Sequence, residues 1–145
     1  MNNCSGSSRS VKFAVLNAHS ICNKTSGTLN LLKHHNIDIC LITETWLKAD
    51  DKAKFAEVHE RGLDIFSKPR RGNGGGVGFI FDPKRVRLVR NNVNGYSSFE
   101  VLEAVFKADT DLFRLCVVYR TTQTKSSKTY QQTRLKNSLM SFLSI

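Results

Sequence analysis

Apolar positions along the chain fall into short runs separated by polar and glycine-rich pieces, and the order of those runs predicts a mixed α/β domain. Residues 11–17, VKFAVLN, alternate in part and stop on a polar residue, as a largely buried strand does. Residues 28–36, TLNLLKHHN, carry leucines at 29, 31 and 32 and then Asn36, which predicts a short helix capped at its end. The run IDICLIT, 37–43, is the next strand. Strand, helix and strand in this order make a βαβ crossover, so the two strands run parallel, adjacent or with one strand between them. Asn17 and Glu44 then leave the sheet at the same carboxyl edge, where open α/β sheets place their ligands.

Five further runs read as strands: GLDIFSKP (62–69), GGVGFIF (75–81), RVRLV (85–89), SFEVLEAVF (98–106) and LFRLCVVY (112–119). Their spacing leaves no room for helices between them, which predicts an antiparallel meander appended to the βαβ unit. From Thr129 onward Leu135, Leu139, Phe142 and Leu143 recur at helical spacing and predict an amphipathic helix reaching Ile145. The polar residues 1–10 read as an arm without fixed structure, and 11–145 as one domain with no internal repeat and no linker.

Charge is more informative here than composition. Lys and Arg number 22 against 12 Asp and Glu, a formal charge of +10. Such an excess favours a polyanionic partner, with nucleic acid first because phosphate neutralisation supplies most non-specific affinity. The plain alternative is a basic soluble protein. Cysteines at 4, 22, 40 and 116 form no CxxC pair and no zinc spacing with histidine. Cys40 and Cys116 lie inside apolar runs as small core residues, which suits a reducing, intracellular compartment. The polar amino terminus is unlike a signal peptide, and no apolar run approaches the length of a bilayer span.

The glycine cluster in RRGNGGGVGFIF lacks the Lys-Ser/Thr of a phosphate cradle and precedes a strand rather than a helix, so it reads as a turn needing positive φ. His34 and His35 suit the end of the first helix. His19 and His59 have no spacing partner, and no serine or cysteine occupies a nucleophile elbow. What remains are polar residues that close apolar strands: Asn17, Glu44 and Tyr119. Their chemistry suits a hard cation: Mg²⁺ takes oxygen ligands, often one or two carboxylates with waters and a substrate phosphate. Glu44 offers the carboxylate, Asn17 an amide oxygen or a hydrogen bond to a ligand water, and Tyr119 a phenol able to donate to a phosphate oxygen.

Five ordered blocks, FAVLNAHSICNKT, IDICLITETWL, SKPRRGNGGGVGFIF, SSFEVL and LCVVYR, together resemble the endonuclease domain of non-LTR (LINE-type) retrotransposons. That domain belongs to the endonuclease/exonuclease/phosphatase (DNase I-like) superfamily. The resemblance covers residues 11–145 and implies a four-layer α/β sandwich that nicks DNA with Mg²⁺, or Mn²⁺ in its place. It implies that Asn17 helps organise the metal site, that Glu44 binds the metal and that Tyr119 contacts the scissile phosphate. His19 stands where arginine is usual. Lys24, Lys68, Arg70, Arg71 and Arg120 are the candidate nucleic-acid contacts, and the family implies a nuclear location.

In that family a Gly-Asp-Phe-Asn block and a Ser-Asp-His block follow the tyrosine. The last carboxylate here is Asp111 and the last histidine His59, so the resemblance implies the N-terminal half of the domain, truncated before its second half. A sandwich divided between its sheets is expected to bare an apolar face, to be marginally stable, and to need its other half or another protein as cover. Three functions remain open: part of a Mg²⁺-dependent endonuclease with little turnover alone, a basic nucleic-acid-binding remnant, or a fragment without function. A phosphoinositide or sphingomyelin substrate is disfavoured by the ETWL and GGGV blocks.

Overall fold

The two strands of the crossover pair in parallel and directly, Phe13–Asn17 (β1) against Ile39–Thr43 (β2), with Phe13 opposite Ile39 and Asn17 opposite Thr43. The structure, a computed structural model, describes residues 10–69, 74–93, 99–120 and 142–144. Between these strands lies the helix Thr25–His34 (α1), which starts three residues before the leucine-bearing segment and buries Leu29 and Leu32. Asn36 ends it in the left-handed region at φ +52. Its N–H donates to the Lys33 carbonyl and that of Ile37 to the Leu32 carbonyl, the double bond that satisfies the last orphaned carbonyls of a helix.

A second helix, Lys52–Glu60 (α2), precedes Asp64–Lys68 (β3) and was not expected. Only Val58 is buried on it, so the apolar periodicity that reveals a helix is nearly absent. Its remaining signal is its end: Gly62 at φ +73 carries the same pair of bonds, its own N–H to His59 and that of Leu63 to Val58.

The expected meander is divided between two sheets. β3 and Val77–Phe81 (β4) join the crossover in a first sheet of order β1-β2-β4-β3, with β4 antiparallel to both neighbours. Arg87–Asn92 (β5), Glu100–Ala108 (β6), Asp111–Tyr119 (β7) and Phe142–Ser144 (β8) form a second, antiparallel sheet in that order. Phe142–Ser144 is therefore strand and not the end of a helix: its backbone satisfies the edge of β7, pairing Phe113 with Ser144. The rest of the expected helix, 129–141, lies outside the described residues, as do residues 1–9 of the arm.

Alternation along the strands gives the first sheet two apolar faces. Ile39, Leu41, Val77, Phe79 and Phe81 face the second sheet and meet Leu102, Ala104, Phe106, Leu115 and Val117 there. Cys40, Ile42 and Ile80 face the other way, onto Leu29, Leu32 and Val58 of the helices. This corrects the expectation of a bare sheet. The last strands themselves supply the second sheet, β4 lying over β6 and β7, and β2 over β7. What stays open is the flank at β1. Phe13 and Val15 share register with the core residues Ile39 and Leu41, yet remain 37% and 51% exposed, with the Phe13 ring T-shaped to that of Phe113 at 5.7 Å.

Candidate active site

The parallel pairing of β1 and β2 does not stop where the strands end. The N–H groups of Ala18, Ser20 and Ile21 donate to the carbonyls of Thr43, Glu44 and Thr45, at 2.9 to 3.0 Å. Two loops thus run on side by side beyond the carboxyl edge, and they do so through unusual backbone: His19, Ser20, Glu44 and Trp46 all have positive φ, between +45 and +75. Such conformations are rare for residues with a side chain and cluster where surrounding structure enforces them. On the other side, Thr45 and Trp46 donate to the carbonyls of Gly76 and Gly75. The segment Glu44–Trp46 is therefore clamped between two stretches of backbone.

This clamp aims the Glu44 carboxylate at the ends of β1 and β7. One oxygen, Oε1, accepts from Asn17 Nδ2 at 3.1 Å and from the Tyr119 hydroxyl at 2.7 Å. The other, Oε2, lies 2.8 Å from His19 Nδ1. The amide oxygen of Asn17 in turn accepts the His19 backbone N–H at 3.2 Å. The three residues expected from sequence to close strands around one site thus converge, Tyr119 from 75 positions away on the second sheet. Partial burial pushes the Glu44 carboxyl up, but hydrogen bonds from Tyr119, Asn17 and His19, with the histidine charge, outweigh it and hold the group below its ordinary value. Glu44 is thus an ionised carboxylate near neutral pH, and its side chain keeps 15% of its exposure.

His19 was given no role by spacing, because its partner lies on another strand end; only the parallel register could have revealed the pair. Glu100 was likewise missed. Its register partner is Tyr119, and its Oε2 accepts the Gly76 N–H at 2.7 Å, tying the glycine turn to the second sheet. That turn is as expected, with Gly74, Gly75 and Gly76 all at positive φ. Gly76 sits at φ +90 against the Thr45 hydroxyl, leaving no room for a Cβ. Gly76→Ala should therefore destabilise the chain by about 1–3 kcal/mol from backbone strain, with the collision added, and loosen the Glu44 segment. Thermal unfolding followed by circular dichroism measures it; an unchanged midpoint would contradict the clamp.

Among the candidate nucleic-acid contacts, Lys24 is exposed but engaged by its own loop. Its ammonium donates to the carbonyls of Ala18 and His19 at 3.1 and 3.2 Å and so props the loop that carries His19. Lys68 ends β3, opposite Val77, and Arg120 is exposed directly after Tyr119. Arg70 and Arg71 lie outside the described residues.

Among the described residues no three of His, Cys, Asp and Glu gather as a metal cluster. Mg²⁺, however, is commonly held through one or two carboxylates, its remaining positions filled by water and phosphate. A partly exposed, ionised Glu44 fits that mode through its carboxylate, while Asn17 turns its amide nitrogen to Glu44 and its oxygen to the His19 N–H.

A search of the solved structures matches the chain to a D. rerio TDP2 humanized by 14 mutations (TM-score 0.60, 11% identity, 78% of this chain and 52% of that one). It also matches a Neisseria 3′ phosphatase, NExo, bound to product DNA hairpin (0.54, 16%, 71% and 39%). An AP endonuclease from Archaeoglobus fulgidus matches as well (0.52, 18%, 66% and 37%). The fold is that of the DNase I-like endonuclease/exonuclease/phosphatase proteins. No protein-family model and no curated protein matches the sequence. The chain spans about half or less of the length of these DNase I-like structures.

Proposed function

We propose that the chain is part of a Mg²⁺-dependent DNA endonuclease of the LINE type, which hydrolyses phosphodiesters to nick a target site. The observation that carries this reading is the convergence of Asn17, His19 and Tyr119 on one ionised carboxylate at the carboxyl edge of a DNase I-like sheet. Glu44 would hold the cation, with Asn17 beside it. When bound, Mg²⁺ supplies Lewis-acid stabilisation of charge on a phosphate oxygen. Tyr119, whose hydroxyl donates to Glu44 Oε1, would give up that bond to place its proton on phosphate, and His19 would keep the carboxylate aligned from its other oxygen. Groups that work as a unit lose most of their rate together, so we expect little nicking from these residues alone. The apolar flank of Phe13 and Val15 is where the other half of such a domain, or another protein, would pack.

Mn²⁺ binding followed by electron paramagnetic resonance, with Mg²⁺ as competitor and plasmid nicking measured alongside, tests the reading. One site displaced by Mg²⁺ and abolished by Glu44→Ala is the expected result. Divalent-ion binding that survives Glu44→Ala would overturn it. A chain that binds DNA with strong salt dependence but no metal would instead support the basic nucleic-acid-binding remnant, which the charge of +10 favours.

A further inference from the structure

Trp46 departs from what an aromatic residue near a core ordinarily does. Its neighbours Thr45 and Leu47 are buried, at 1% and 2% exposure, whereas Trp46 itself is 42% exposed. Its backbone lies at φ +56, a genuine outlier for a bulky side chain. The Trp46 N–H is bound to the Gly75 carbonyl, which holds that backbone in place, and the indole lies beside Gly74, near enough that a Cβ there would touch it at 3.8 Å. The His19 ring stands 5.7 Å away, tilted by 52°. An apolar face of this size is thus held out in solvent, at a conformational cost, two residues from Glu44 and beside the histidine that bonds it.

We propose that Trp46, with His19 at its margin, is a stacking platform for an unpaired base of the nucleic-acid strand whose phosphate lies at Glu44. The proposal rests on the nucleic-acid reading above and adds to it the state of the strand: a base lifted from its duplex or already single-stranded. Stacking fits a flat, partly exposed ring held beside glycine, and it is tolerant of base identity because every base has a π-face. The platform therefore predicts preference for unpaired strands without preference for sequence.

The chain contains a single tryptophan, so its emission reports on this position alone. A fluorescently labelled oligothymidylate and an abasic oligonucleotide of equal phosphate number are titrated at low salt without divalent metal. Anisotropy of the label reads binding, and indole emission reads the platform. Both strands should bind, and only the base-bearing one should quench the emission. Trp46→Ala should weaken oligothymidylate about tenfold or more and leave the abasic strand unchanged, while Trp46→Phe should retain much of the affinity. Circular dichroism establishes that each variant is folded. Binding without quenching, with Trp46→Ala as tight as the parent, would overturn the platform and leave the nucleic-acid reading standing. Failure of the parent chain to bind either strand would overturn both.

Discussion

Phe106→Ala is expected to remove about 3–5 kcal/mol of stability, enough to leave a small domain largely unfolded in water. Phe106 on β6 is fully buried, and its ring meets Phe79 and Phe81 of the facing sheet edge-on at 5.5 and 5.2 Å. It also stacks on Phe113 of its own sheet at 6.5 Å. Removing it opens a cavity where three aromatic rings converge and where the two sheets hold each other. Urea unfolding monitored by circular dichroism measures the loss, and Phe106→Leu, which keeps more of the volume, should lose clearly less. A cost below about 1 kcal/mol for alanine would mean that the sheets do not share this core.

That prediction depends on a feature the amino-acid pattern did not disclose. Strands β1 to β7 could be read, because period-2 alternation and glycine or polar boundaries mark them locally, whereas β8 was read as the end of a helix. Which sheet each strand joins could not. β4 and β5 are separated by five residues, a spacing that suits a hairpin, yet β4 pairs with β2 and β3 while β5 begins the other sheet. Nothing local distinguishes the two, since both choices bury the same apolar side chains; the difference lies in whether β4 inserts beside β2. α2 was hidden for the opposite reason, having almost no apolar face to announce it.

The site divides along the same line. Asn17 and Glu44 could be placed together from sequence because a βαβ crossover forces parallel strands, and parallel strands share an edge. Tyr119 could be named as a strand end, but its approach to Glu44 requires the second sheet to fold over the first. His19 and Glu100 were illegible as site residues because their contacts depend on a left-handed loop and on a glycine amide; Lys24, named from sequence as a nucleic-acid contact, holds a pair of loop carbonyls, which its residue type does not announce. Positive φ at Glu44 and Trp46 has no signature in residue type, as neither is glycine. Polar residues at strand ends thus indicated which side chains converge, and not what holds them in shape.

β2 carries the other large expected effect, at the end away from Glu44. Asp38 precedes the strand and is only 1% exposed. Its carboxylate accepts the Lys12 backbone N–H at 2.8 Å and pairs with the Arg85 guanidinium, while its carbonyl accepts the Asp82 N–H at 2.9 Å. One residue therefore pins the start of β1, the start of β2 and the turn after β4. Asp38→Ala removes the acceptor of the part-buried Lys12 amide and leaves Arg85 without its carboxylate, and breaking one side of a buried charged pair typically costs about 3–5 kcal/mol. Arg85 is a quarter exposed and can recover some solvation, which places the expected loss toward the lower end. Asp38→Asn, which can still accept the Lys12 N–H, should lose less. Because the lesion lies at the opposite end of β2 from the Glu44 cluster, Asp38→Asn that remains folded should bind Mn²⁺ as the parent does. Loss of metal binding in a folded Asp38→Asn would mean that the site's geometry depends on the whole length of β2 and not on the loops that clamp Glu44.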